Sequence, residues 1–224
     1  METVYLGVDV AGARNTWLAG LSAGGNRLVV CPEPQLVSLH QVVETCEQTP
    51  VVAVAIDAQL TISLSAETGF RASDRRLREL LPPDCRNWVA SINSLMAVPV
   101  RGQLLAEHLA PLVGTLLETH PRASLLFGLG EEAAGAVRRY KSGGDSGERA
   151  IDMLWERWAA RFDISLDRPP GSDGALDALV CATVAYLYHQ APENLLRLRE
   201  QEADDGDVRA VRGWGPFYVA APHG

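Results

Sequence analysis

Residues 51–56 constrain this chain more than any other segment. Six consecutive apolar residues (VVAVAI), four of them β-branched, leave no polar face to turn toward water. Such a run reads as a strand buried on both sides. The rest of the chain orders itself around it. Residues 4–10, 16–21 and 27–31 are short and β-rich. Gly12 and the Gly24-Gly25-Asn26 turn separate them, so they predict an antiparallel meander. Apolar residues at Leu36, Leu39, Val42 and Val43 predict a helix over 35–47, which Pro50 closes.

Beyond the buried strand, residues 57–69 hold no period and read as a loop. A short helix is expected over 73–81, stopped by Pro82-Pro83, and another over 101–112. Residues 114–118 form a short apolar strand that ends at His120-Pro121. Helices then follow over 123–127, 131–140, 148–162 and 173–190, with a Gly/Ser loop at 141–147. The tail is acidic through Asp207. It then turns aromatic and basic at Arg209, Arg212, Trp214, Phe217 and Tyr218, a pattern that would close a sheet edge or meet a second copy in a homodimer.

This order, a three-stranded meander followed by β-α-β crossovers, is that of the RNase H-like fold. The expected architecture is α/β: a mixed five-stranded sheet, three antiparallel strands plus two parallel ones, flanked by helices. One domain over 1–224 is expected, with a helical insertion at about 58–112 and a C-terminal tail at about 192–224. The 224 residues suit one domain of that size. The 47% hydrophobic and 21% charged content excludes a largely disordered chain. No apolar stretch reaches the roughly 20 residues of a membrane span, and the start lacks the basic flank of a signal peptide. Cys31, Cys46, Cys85 and Cys181 are too scattered for a zinc site or a disulfide framework, so a reducing cytoplasm is expected. The net charge of −8 argues against a general nucleic-acid coat protein.

Asp9, Asp57 and Glu118 each end an apolar strand-like run. On parallel central strands they would converge at the carboxyl edge of the sheet, where open α/β sheets bind ligands. Each acid alone is more simply a turn or cap residue. Asp173 and Asp177 lie four apart at the start of an apolar helix, hence on one face. Asp173 also suits the helix dipole, which explains Asp177 less well because it lies beyond the first turn. Clustered carboxylates repel unless some hold protons or a cation sits between them. An oxygen-only donor set selects a hard ion, Mg²⁺ or Mn²⁺.

The ordered segments GVDVAG (7–12) with Trp17, AIDAQL (55–60), RASDRRLREL (71–80), ETHPRASL (118–125), YKSGGDSGER (140–149) and SDGALDAL (172–179) resemble the family catalogued as domain of unknown function 429. They span about residues 4 to 190. That family is described as a predicted RNase H-like nuclease, and the resemblance implies an acidic metal centre at Asp9, Asp57, Glu118 and Asp177, with Asp173 alongside. Two positions depart from the family pattern: Ser73 stands where a Cys is common, and Gly174 where a second acid is common.

Arg71, Asp74, Arg75 and Arg78 follow helical spacing on one face just after the loop that leaves Asp57. Arg71, Arg75, Arg78 and Lys141 are candidates to hold a phosphate, the alternative being a solvated face tied by its own ion pairs, Asp74 to Arg78. His120 reads as a structural residue at a strand end. The leading expectation is a metal-dependent phosphodiester hydrolase in which Asp9, Asp57, Glu118 and Asp177 are catalytic and the substrate is a nucleic acid or a nucleotide. An ATP-binding phosphotransferase of the actin and sugar-kinase class and a non-catalytic binding module on the same fold are the rivals.

Overall fold

The computed structural model describes residues 3–25, 27–63, 68–95, 97–166, 168–198 and 211–222. The predicted turn residue Asn26 and the acidic run through Asp207 lie outside them. The meander consists of β1 (Val4–Asp9), β2 (Thr16–Gly24) and β3 (Arg27–Val30), paired antiparallel in sequence. β4 (Gln35–Val37) pairs with β2, which corrects the helix expected from residue 35. That helix, α1 (Leu39–Gln48), begins only after Ser38. The Ser38 hydroxyl accepts the Gln41 N–H while the Gln41 side chain accepts the Ser38 N–H, a reciprocal cap that sets the boundary.

The buried run is β5 (Val51–Asp57). After it come β6 (Thr61–Ser63), α2 (Ala72–Leu80), a 3-10 turn at Pro83–Trp88, α3 (Ile92–Leu95) and α4 (Ala97–Leu109). β7 (Thr115–Glu118) leads into α5 (Pro121–Leu129), α6 (Glu131–Arg139) and α7 (Gly144–Phe162). The chain ends with β8 (Ile164–Ser165), α8 (Asp173–Gln190), β9 (Leu195–Leu198), β10 (Val211–Gly213) and β11 (Phe217–Ala220).

The main sheet has nine strands in the order β8-β3-β2-β1-β5-β7-β11-β9, with β4 also on β2; β6 and β10 form a separate pair. β1, β5 and β7 run parallel at its centre. The sheet is thus wider than the five strands expected. The additional β4, β8, β9 and β11 are only two to four residues long, too short to carry a period of their own.

Alternation along the central strands assigns the two faces. Tyr5, Ala53, Ala55 and Leu117 pack with Cys181, Val184 and Ala185 of α8. Leu6, Val8, Val54, Ile56 and Leu116 pack against α1 and α4 on the opposite face. α8 is apolar around most of its circumference because it is enclosed, with residues 174–185 all buried. It lies close to β1 at Gly7, where a Cβ would come 2.0 Å from the Ala178 carbonyl oxygen. Only glycine permits that approach. Among the described residues no helix is long and apolar enough to cross a membrane.

Candidate metal centre and adjoining cavity

Asp9 and Asp57 are register partners at the carboxyl ends of β1 and β5. Each follows a residue of the α1 and α4 face, Val8 and Ile56, so alternation turns both side chains toward α8. Ser172 caps α8 by accepting the Ala175 N–H, and Asp177 lies just past the first turn, completely buried. One carboxylate oxygen from each of Asp9, Asp57 and Asp177 lies within 4.8 Å of the other two. Tyr140 O–H donates to Asp177 Oδ1 at 2.8 Å, and Lys141 Nζ donates to Oδ2 at 2.5 Å. Asp177 is therefore oriented from both oxygens, by the turn that joins α6 to α7.

The electrostatics are those of a site short of positive charge. Burial raises the Asp9 carboxyl well above its ordinary range, and the charges of Asp177 and Asp57 add to the effect. Burial pushes Asp57 up to about 7, with Lys141 pulling the other way. Burial also works against the Lys141 charge, but Asp177, Asp57 and Asp9 outweigh it and hold the ammonium protonated. Burial and the neighbouring Asp177 keep the Tyr140 phenol protonated, as its donated hydrogen bond requires.

Glu118 does not join this group. It pairs in register with Ile56, not Asp57, and so faces the other way. There Arg71 Nη1 and Nη2 donate to its two oxygens at 2.7 and 2.5 Å, and the Leu60 N–H adds a third bond at 2.8 Å. Arg71 also donates to both oxygens of Asp74, whose Oδ2 in turn accepts the Arg71 backbone N–H at the start of α2. The Arg71 guanidinium is itself buried, and Glu118 and Asp74 hold its proton against that burial. Asp173 stays near Asp9, whose carboxyl it helps to raise, but lies outside the close triad.

The remaining arginines of the predicted face separate. Arg75 is exposed, donates to the Phe70 carbonyl and lines a separate pocket of about 460 Å³ with Glu79 and Arg197. Arg78 donates to the Arg86 and Val89 carbonyls, its guanidinium 4.7 Å from the Phe70 ring centre. His120 caps α5: Nδ1 accepts the Ala123 N–H and Nε2–H donates to the Trp88 carbonyl. Both ring nitrogens are engaged, and burial lowers its pKa, so it is a neutral strut.

A cavity of about 320 Å³ opens beside the triad and shares Asp57 and Lys141 with it. Val89, Leu95, Val98 and Phe217 supply apolar wall. Gln59, Thr119 and Arg122 supply polar groups that the sequence did not single out, as did Tyr140 in the triad. Thr119 carried a usable signal: it follows Glu118, so alternation turns it to the α8 face. Gln59 Nε2 donates to Asp74 Oδ2 and to the Ala90 carbonyl, which fixes the amide orientation. Among the described residues its Oε1 and the Thr119 Oγ1 have no hydrogen-bond partner, although both residues are buried. Arg101 braces the loop after β1 by donating to the Ala11 carbonyl and Thr16 Oγ1.

A family model described as "Protein of unknown function (DUF429)" matches residues 7–197. The chain belongs to the DUF429 family. Comparison with curated proteins and with solved structures finds no match. The two departures expected from the resemblance, at Gly174 and Ser73, have a physical setting. A Cβ at Gly174 would lie 2.3 Å from Trp17 Cδ1 and 3.1 Å from Asp9 Oδ2, so Trp17 closes the position to a second acid. Ser73 is fully buried, and among the described residues its hydroxyl has no hydrogen-bond partner.

Proposed function

We propose that this chain is a divalent-metal-dependent hydrolase of phosphate esters on an RNase H-like fold, with Asp9, Asp57 and Asp177 holding Mg²⁺ or Mn²⁺. The strand order β3-β2-β1-β5-β7, with the last three parallel, agrees with that fold. The single observation that carries the function is the meeting of three carboxyl groups at the carboxyl edge of parallel strands, with Lys141 the one cation in ion-pair contact with them among the described residues. Such an oxygen-only set fits a hard divalent ion and no soft one.

A bound ion would supply charge for the phosphate oxygens and acidify water at neutral pH. The chain's own groups do the rest. Tyr140 and Lys141 keep Asp177 in one orientation, and Lys141, over a third exposed, presents positive charge at the rim where an incoming phosphate passes. Glu118 and Arg71 keep β7, the β5 exit and α2 together, so the cavity keeps its shape.

The test is a thermal melt of wild type and Asp9→Asn with and without millimolar Mn²⁺, alongside hydrolysis of a chromogenic phosphodiester. A ligand at about 100 times its Kd adds ~2.7 kcal/mol to the folded state. Wild type should show that upward shift and Mn²⁺-dependent hydrolysis. Asp9→Asn should melt higher than wild type without metal, lose the shift, and lose hydrolysis by more than the roughly 10–100-fold that an outer partner costs. Hydrolysis surviving intact in Asp9→Asn would refute the mechanism.

A further inference from the structure

We propose that the cavity beside the triad is a mononucleotide site. Resting on the hydrolase reading above, this makes the substrate a small phosphate ester and not a polymer. Its volume of about 320 Å³ sits at the low end of the roughly 300–1,000 Å³ of small-molecule pockets. That is room for one compact ligand. Asp57 and Lys141 form the wall it shares with the triad, so a phosphate at the triad would have its organic group in the cavity.

The polar groups describe that organic part. Buried polar atoms are almost always paired, and Gln59 Oε1 and Thr119 Oγ1 are not. The Gln59 oxygen only accepts, so the missing partner must bring an N–H or O–H. The surrounding Val89, Leu95, Val98 and Phe217 require the same partner to present apolar faces. A nucleobase has flat apolar faces and N–H donors confined to its edge, whereas a sugar phosphate would set hydroxyls against those walls. Arg122, half-buried with its guanidinium 4.1 Å from the Trp88 ring centre and donating to the Val137 and Arg138 carbonyls, lines the cavity and gives it a positive field without a free fork for a phosphate. A polymer needs a track of cations along its backbone. Arg75 and Arg78 do not provide one: the first lies outside the cavity and the second is committed to backbone carbonyls.

The chemistry balances with water alone. The water oxygen bonds to phosphorus, the P–O bond to the leaving group breaks, and the proton that water loses ends on the departing oxygen.

Calorimetric titration with nucleoside 5′-monophosphates and with a long single-stranded oligonucleotide, each in Mn²⁺, tests the assignment. Wild type should bind at least one monophosphate and should not bind the oligonucleotide more tightly. Thr119→Val deletes an unpaired buried hydroxyl, so it should melt no lower than wild type yet bind that monophosphate about tenfold more weakly. Thr119→Ser should retain the affinity. No monophosphate binding, tighter binding of the oligonucleotide, or full affinity in Thr119→Val would overturn the proposal. Thr119-dependent binding in a protein that neither responds to Mn²⁺ nor hydrolyses any ester would support the cavity assignment and refute the hydrolase reading instead.

Discussion

Asp74 and Glu118 face Arg71, whereas Asp9, Asp57 and Asp177 face one another. Both groups are largely withdrawn from water at the same end of the central strands. In the first, a guanidinium fork meets both carboxylates and backbone N–H groups complete the set. In the second, one ammonium stands against three carboxyls, and burial leaves Asp9 and Asp57 inclined to keep their protons. The contrast separates two uses of a buried acid. Where the protein supplies the countercharge, the acid is scaffold. Where it does not, the acid is open to a cation from outside, as the proposed function requires.

The strongest test of that division is Arg71→Met. Removing one partner from a buried ionic group strands the others, at about 3–5 kcal/mol. Urea unfolding should show that loss whether or not Mn²⁺ is present, in contrast to Asp9→Asn. If Arg71→Met instead lost only its metal response, the two groups would be one site.

A titration sharpens the comparison next. Folded Asp57 binds its proton up to about pH 7, whereas the unfolded carboxyl releases it near 3.8. Between those values the folded state holds more protons, so metal-free stability should fall as pH rises across that window. Asp57→Asn should flatten this part of the profile. A cation must displace the same proton, so Mn²⁺ affinity should climb as pH rises through about 7. Melts over a pH series read both slopes, and a profile unchanged by Asp57→Asn would show that its carboxyl is not perturbed.

The smallest effect is expected at Tyr140→Phe. It removes the hydroxyl that orients Asp177 without touching charge. Stability should drop by about 1–3 kcal/mol and Mn²⁺ affinity by roughly 10–100-fold. Affinity equal to wild type would mean that Lys141 alone fixes Asp177.

The positions of Asp9, Asp57 and Asp177 were legible because each carries a local signal: an acid that ends an apolar run, or an acid one turn past a cap beside core leucines. Glu118 carried the same signal and yet faces the other way. Its orientation depends on the register of β7 against β5, which is set by contacts far apart in sequence. Arg71 was visible as a cation but not as a buried one, since its partner Glu118 lies 47 residues away. Lys141 looks like a loop residue until α6 and α7 bring it over α8. The central strands and α8 were readable from long apolar patterns, whereas β4, β8, β9 and β11 owe their conformation to the strands they pair with.

β11 follows β9 and β10 in sequence but is not the outermost strand of the sheet. It inserts between β7 and β9, places Phe217 in register with Glu118, and lends that ring to the cavity wall. During vectorial synthesis the three clustered carboxylates and their lysine emerge well before it does. Until residue 217 is available, β7 and β9 each keep an unpaired edge, the kind of template on which chains aggregate. A nascent chain interrupted before residue 217 would already own every acid of the centre, but would lack the strand that joins β9 to β7.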